Sequence, residues 1–126
     1  MENEEKLDSF EKLYAWQNAR ILTKQIYELT ASFPKAEQFG LTNQMRRAAT
    51  SVTANIAESF SRQSMADKVH FYSIALGSLT ELQSFLYTAL DVGYITDQQR
   101  IIPYNQSVTV HKLVTGLIKS TRARTK

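Results

Sequence analysis

The side chains of this 126-residue chain that could carry chemistry are few and scattered. His70 and His111 fall in different predicted helices, and neither has a Glu or His at i+3 or i+4 on its own face. The Glu-x-x-His pattern with which helical bundles hold paired metals is therefore missing. Cysteine is absent, which removes thiolate ligands and disulfides alike. There is no phosphate-binding loop, dinucleotide fingerprint or nucleophile elbow, and the glycines, Gly40, Gly77, Gly93 and Gly116, are isolated. Glu58 and Glu81 could pair as carboxylates across two helices. Glu58, however, has Arg62 four residues on and Arg47 on the same flank, so neutralisation in an ion-pair network is the expected use. Asn55, Glu58 and Glu81 are read as a structural polar network; no metal, cofactor or catalysis is expected.

Positive charge is the stronger signal. The net charge is +3, but residues 1–11 hold Glu2, Glu4, Glu5, Asp8 and Glu11 against Lys6 alone, while residues 100–126 hold six bases and no acid. Such ends are either solvated tails or a basic surface for an anionic partner with an acidic segment that screens it. Arginine makes bidentate contacts to phosphate, and a row of bases gains affinity by releasing counterions. The candidates for contact with RNA or DNA phosphates are Arg46, Arg47, Arg62, Lys68, Lys119, Arg122, Arg124 and Lys126. No base-reading motif accompanies them, so the binding expected is electrostatic and nonspecific.

The elements that must position these residues are helices. Asp8-Ser9-Phe10-Glu11 has capping-box spacing, and Trp16, Ala19, Leu22, Ile26 and Leu29 recur at steps of three and four. Phe33-Pro34 ends that helix. Thr42 is placed to cap a second helix through Met45, Ala48, Val52, Ile56 and Phe60. Ser64 to Asp67 opens the longest helix, which Gly93 closes, and Thr96 to Gln99 is spaced to cap a fourth. Pro103 predicts a kink or a restart near Tyr104. The chain reads as one all-α domain over 1–126, an antiparallel up-and-down four-helix bundle with helices about 9–31, 42–61, 65–91 and 97–120 and loose ends 1–8 and 121–126.

Two helices have faces that the bundle alone does not explain. On the second helix Thr50, Ala54, Ala57 and Ser61 form an outer side of small residues, which suggests close approach by another surface. On the third, the apolar arc extends to Ile74 and Phe85 and spans about 220°, where a bundle helix needs somewhat over 100°. Thr50, Ala54, Ala57, Ile74 and Phe85 are accordingly the expected interface of a homo-oligomer. Arg47 and Arg62 are placed to be held by Glu58, which leaves Arg46, on the opposite flank, as the arginine expected to meet phosphate.

Trp16-x-x-Ala19, Ile26-Tyr27, the run from Phe33-Pro34 through Glu37, Phe39-Gly40-Leu41-Thr42, Gln44, Arg46-Arg47-Ala48-Ala49 and Ser51-Val52, then Asn55-Ile56-Ala57-Glu58 and Ala75-x-Gly77-Ser78-Leu79-x-Glu81-Leu82, carry a family resemblance. Over about residues 10–95 the chain resembles the four-helix-bundle proteins encoded in intervening sequences of bacterial 23S rRNA genes, also called S23 ribosomal proteins. It departs from their pattern at Ser59-Phe60, where a glycine is usual, and at Pro103. The resemblance implies a homopentameric barrel with a positively charged channel. It also extends to the accessory protein of diversity-generating retroelements, which associates with a reverse transcriptase and binds nucleic acid.

The leading expectation is a nonenzymatic, oligomeric accessory protein that binds RNA or DNA phosphates. The alternative is a protein-binding scaffold whose arginines form structural ion pairs. No apolar run approaches the roughly 20 residues of a membrane span, and no leader is evident, so a cytoplasmic location without membrane contact is expected.

Overall fold

The computed structural model describes residues 2–124 of the chain. It is all-α: α1 (Tyr14–Thr30), α2 (Leu41–Ser61), α3 (Met65–Asp91) and α4 (Asp97–Arg124), with short 3-10 turns at Glu4–Lys6, Phe10–Lys12 and Lys35–Glu37, and no strand among the described residues. Each helix packs on the next and α4 returns to α1, so α2 and α4 lie on a diagonal. Cross-helix contacts fix the directions. Thr30 meets Arg46 and Thr23 meets Ala49; Ser51 meets Ser78 and Ser59 meets Lys68; Gln83 meets Ser107; Asn18 meets Gln106. Every neighbouring pair is antiparallel. The core is the set of inward stripes, with Leu22, Ile26, Met45, Val52, Ile56, Leu79, Leu82, Leu86, Val110, Val114 and Leu117 fully buried.

The helix ends depart from the sequence expectation in instructive ways. α1 does not begin at residue 9. Ser9 accepts from the Glu11 amide (3.2 Å) and so caps only the turn Phe10–Lys12. Leu13 then leaves helical geometry (φ −70°, ψ 127°), its side chain fully buried. The true start of α1 is capped from a distance by Glu2, whose carboxylate accepts from the amides of Tyr14 and Ala15. Thr42 does not cap α2 either. The helix begins one residue earlier, and the Glu37 carboxylate takes the Leu41 amide at 3.1 Å. The remaining starts are local: Ser64 accepts from the Asp67 amide, and Thr96 and Gln99 make both halves of a capping box.

α4 runs through Pro103 without a restart and continues to Arg124. Pro103 sits early in the helix with its ring buried, and the carbonyl that lacks its amide donor belongs to Gln99, an exposed residue of the first turn. Nor are residues 2–8 and 121–124 loose. Glu4 is buried and Leu7 packs against the core, while Thr121 is buried in the last turn of α4. Lys126, one of the expected phosphate contacts, lies outside the described residues.

Candidate nucleic-acid interface

The predicted bases divide into those the fold consumes and those it leaves outside. Arg46 is consumed. Its Nε donates to Thr30 Oγ1 at 2.9 Å, an Nη reaches the Tyr27 carbonyl at 3.4 Å, and the guanidinium lies 4.5 Å from the centre of the Tyr27 ring. The expectation that Arg46 stays free is thus reversed, because the flank of α2 that carries it faces the end of α1. Arg47 is exposed and has no hydrogen bond or ion pair among the described residues; Glu58 does not hold it. Glu58 is instead paired with Arg62 at 2.9 Å, and Arg62 also covers the Phe71 ring at 4.7 Å.

Lys68 is turned inward, with a side chain 12% exposed. It donates to the carbonyls of Ser59 (3.2 Å) and Phe60 (3.0 Å) at the C-terminus of α2, where helix carbonyls lack donors of their own. It also pairs with Glu4. Arg124 points at the same carboxylate from 3.6 Å and donates to Thr121 Oγ1 at 3.3 Å. Of the predicted bases on α4, Lys119 is exposed and unpaired among the described residues, and Arg122 is exposed; Lys112, not among the bases selected from sequence, shares the outer stripe with Lys119 and is likewise exposed and unpaired among the described residues.

The expected network of Asn55, Glu58 and Glu81 does not assemble. Asn55 donates to the Ser51 carbonyl (2.8 Å) and to Ser51 Oγ (3.0 Å), and Ser51 Oγ meets Ser78 Oγ at 2.8 Å, which links α2 to α3. Glu81 is exposed, with no partner among the described residues. The distance between turns on a helix explains the separation: Asn55 and Glu58 are on one flank, but each finds a closer partner four residues along α2. Among the described residues no cluster of three or more His, Asp or Glu is placed to hold a metal.

The expected interface residues are unevenly exposed. Thr50 and Ala54 are open to solvent, Ala57 is half-buried and Ile74 is 38% exposed, whereas Phe85 packs against the subunit's own core. Ala54, Ala57 and Thr53 form one wall of an open groove of about 420 Å³; Phe10, Trp16 and Thr23 form the other, and Arg20 and Lys24 stand at its rim.

Two polar centres were invisible in the sequence. At the end of the bundle that carries the α1–α2 and α3–α4 connections, Tyr94 donates to Glu37 at 2.7 Å. That bond, with the Leu41 amide, holds the Glu37 carboxyl below its ordinary pKa. At the opposite end the fully buried Tyr72 donates its hydroxyl to Glu4. Burial, reinforced by that hydrogen bond, pushes the Tyr72 hydroxyl far above its ordinary pKa. Tyr72 lies on the apolar stripe of α3, and the signal it offers in sequence is that a buried tyrosine hydroxyl needs a partner.

The fold has a counterpart among known proteins. A crystal structure from Bacteroides thetaiotaomicron VPI-5482, described as a protein with unknown function from the S23 ribosomal protein family, shares the fold with a TM-score of 0.76 and 27% identity. The similarity covers 83% of this chain and 95% of that one. No curated protein matches the chain. Residues 11–116, from the turn before α1 into the last turns of α4, match the family described as 23S rRNA-intervening sequence protein, and the chain belongs to that family.

Proposed function

We propose that this protein is a nonenzymatic, oligomeric accessory protein that binds RNA or DNA through phosphates. The observation that carries the reading is the outer face of α4: Lys112 and Lys119 are exposed and unpaired among the described residues, and no acidic side chain occurs from Gln98 to Arg124. In the acidic N-terminal segment, Glu2 is spent on the start of α1, Glu4 is buried and Asp8 is paired with Lys12.

A single copy offers its bases on separated faces, since Arg47 on α2 and the lysines on the diagonal α4 face apart. Assembly of several copies would set like faces side by side, and we extend the reading to a homopentamer in the cytoplasm, the assembly implied by the sequence resemblance. A protein partner, such as the reverse transcriptase associated with the related retroelement accessory, is compatible with it.

The test is binding of labelled RNA as a function of salt. Two lost lysine contacts should lower the salt slope by about 2 and weaken binding across all sequences. The double variant Lys112→Glu with Lys119→Glu is expected to show that loss by fluorescence anisotropy. No binding of RNA or DNA by the unaltered protein at low salt would remove the reading.

A second reading, a protein-binding scaffold, has one observation in its favour: Arg46, Arg62, Lys68, Arg100 and Arg124 are all engaged within the subunit. It predicts no response to the lysine reversals.

A further inference from the structure

At the end of the bundle where the α2–α3 connection and the last turn of α4 meet, three donors from the helical framework converge on one carboxylate. Lys68 Nζ, the Arg124 guanidinium and the Tyr72 hydroxyl all address Glu4, whose side chain is 5% exposed. Lys68 is held in place independently by the Ser59 and Phe60 carbonyls, and Arg124 by Thr121. The donors are therefore fixed by α2, α3 and α4, whereas the acceptor arrives on a strap of residues 2–8 that contains only a short turn, Glu4–Lys6. Beside the carboxylate a cleft of about 250 Å³ opens, lined by Glu5, Gln63, Met65, Lys68, Thr121 and Arg124.

An Arg–Lys pair with a buried hydroxyl recognises an oxyanion by charge-assisted hydrogen bonds, and a phosphate group meets those donors as well as a carboxylate does. We propose that Lys68, Arg124 and Tyr72 form a phosphate site whose internal occupant is Glu4, so that the strap and a phosphate group compete for it. The phosphate is either free or part of a nucleic-acid chain. The nucleic-acid case rests on the function proposed above; the free-phosphate case does not.

The experiment uses the full chain and Glu4→Gln, with Glu81→Gln as the control. Glu81 is exposed on α3, lines no part of the cleft and has no partner among the described residues, so its replacement changes net charge equally. Calorimetry with inorganic phosphate at low ionic strength should show Glu4→Gln binding about tenfold more tightly than the unaltered chain or Glu81→Gln. Labelled single-stranded RNA is the second probe. A phosphate gain without an RNA gain assigns the site to free phosphate and supports the proposal. Equal RNA binding by all three proteins with no phosphate gain overturns the site while the proposed function stands.

Should Glu4→Gln not fold by circular dichroism, hydrogen exchange on the unaltered chain decides. The Leu7 amide, bonded to the Glu4 carbonyl at 3.0 Å, should exchange faster in phosphate than in chloride of equal ionic strength. Unchanged exchange there, or an equal phosphate gain in Glu81→Gln, overturns the proposal.

Discussion

Arg46 and Arg47 are adjacent and meet opposite fates because successive side chains on a helix diverge by about 100°. That angle turns Arg46 onto α1, against the Tyr27 ring and Thr30, and leaves Arg47 in solvent. Arg46→Ala removes a side-chain hydrogen bond and a cation–π contact and should cost about 1–2 kcal/mol in urea denaturation. Arg47→Ala should stay within about 0.5 kcal/mol of the unaltered protein. Equal effects would show that the Arg46 contacts contribute nothing net. The sequence placed both arginines on the correct helix and on different flanks, but which flank is covered depends on where α1 packs. Glu4 makes the same point more strongly. Its composition reads as part of a solvated acidic tail, and nothing within several residues of it hints at Tyr72, 68 positions away.

At the scale of elements, the legible helix starts are those capped from within. Ser64 with Asp67, and Thr96 with Gln99, are separated by three residues, a spacing that can be read directly. The starts of α1 and α2 are not legible in local spacing because their caps, Glu2 and Glu37, come from outside the helix, while Ser9 and Thr42 stand nearby as decoys. Helix ends also separate two glycines of similar appearance. Gly93 closes α3 at φ +83°, with the Tyr94 amide returning to the Ala89 carbonyl at 2.9 Å, so a side chain there is strained although space is open. Gly77 lies inside α3, exposed, with nothing within 4 Å of an added Cβ. Thermal unfolding should therefore show Gly93→Ala destabilised by about 1–2 kcal/mol and Gly77→Ala stabilised by about 0.5–1 kcal/mol. A stabilised Gly93→Ala would contradict the assigned backbone geometry.

For the whole molecule, the order of helices round the bundle decides what a single copy can and cannot do. α2 and α4 are diagonal, so the small-residue wall at Ala54 and Ala57 and the basic stripe of α4 face different directions. Under the proposed function one surface would serve assembly while the other would meet an anionic partner. Light scattering should give a mass several times 14.4 kDa for the unaltered chain. Ala54→Arg, which adds bulk and charge at an exposed position in that wall, should lower the mass without loss of helicity. A unaltered chain that is monomeric at all concentrations would remove the assembly from the proposal.

By itself the sequence determined an all-α chain of four helices and most of the residues that enter the core. Those properties follow from apolar spacing of three and four residues, and so from interactions along one helix. Only the tertiary structure decided which charges are free. Ion pairs and buried hydrogen bonds join distant segments, and the burial that consumes Lys68 and Arg46 while sparing Lys119 and Arg47 is set by how the helices pack, which no local spacing encodes.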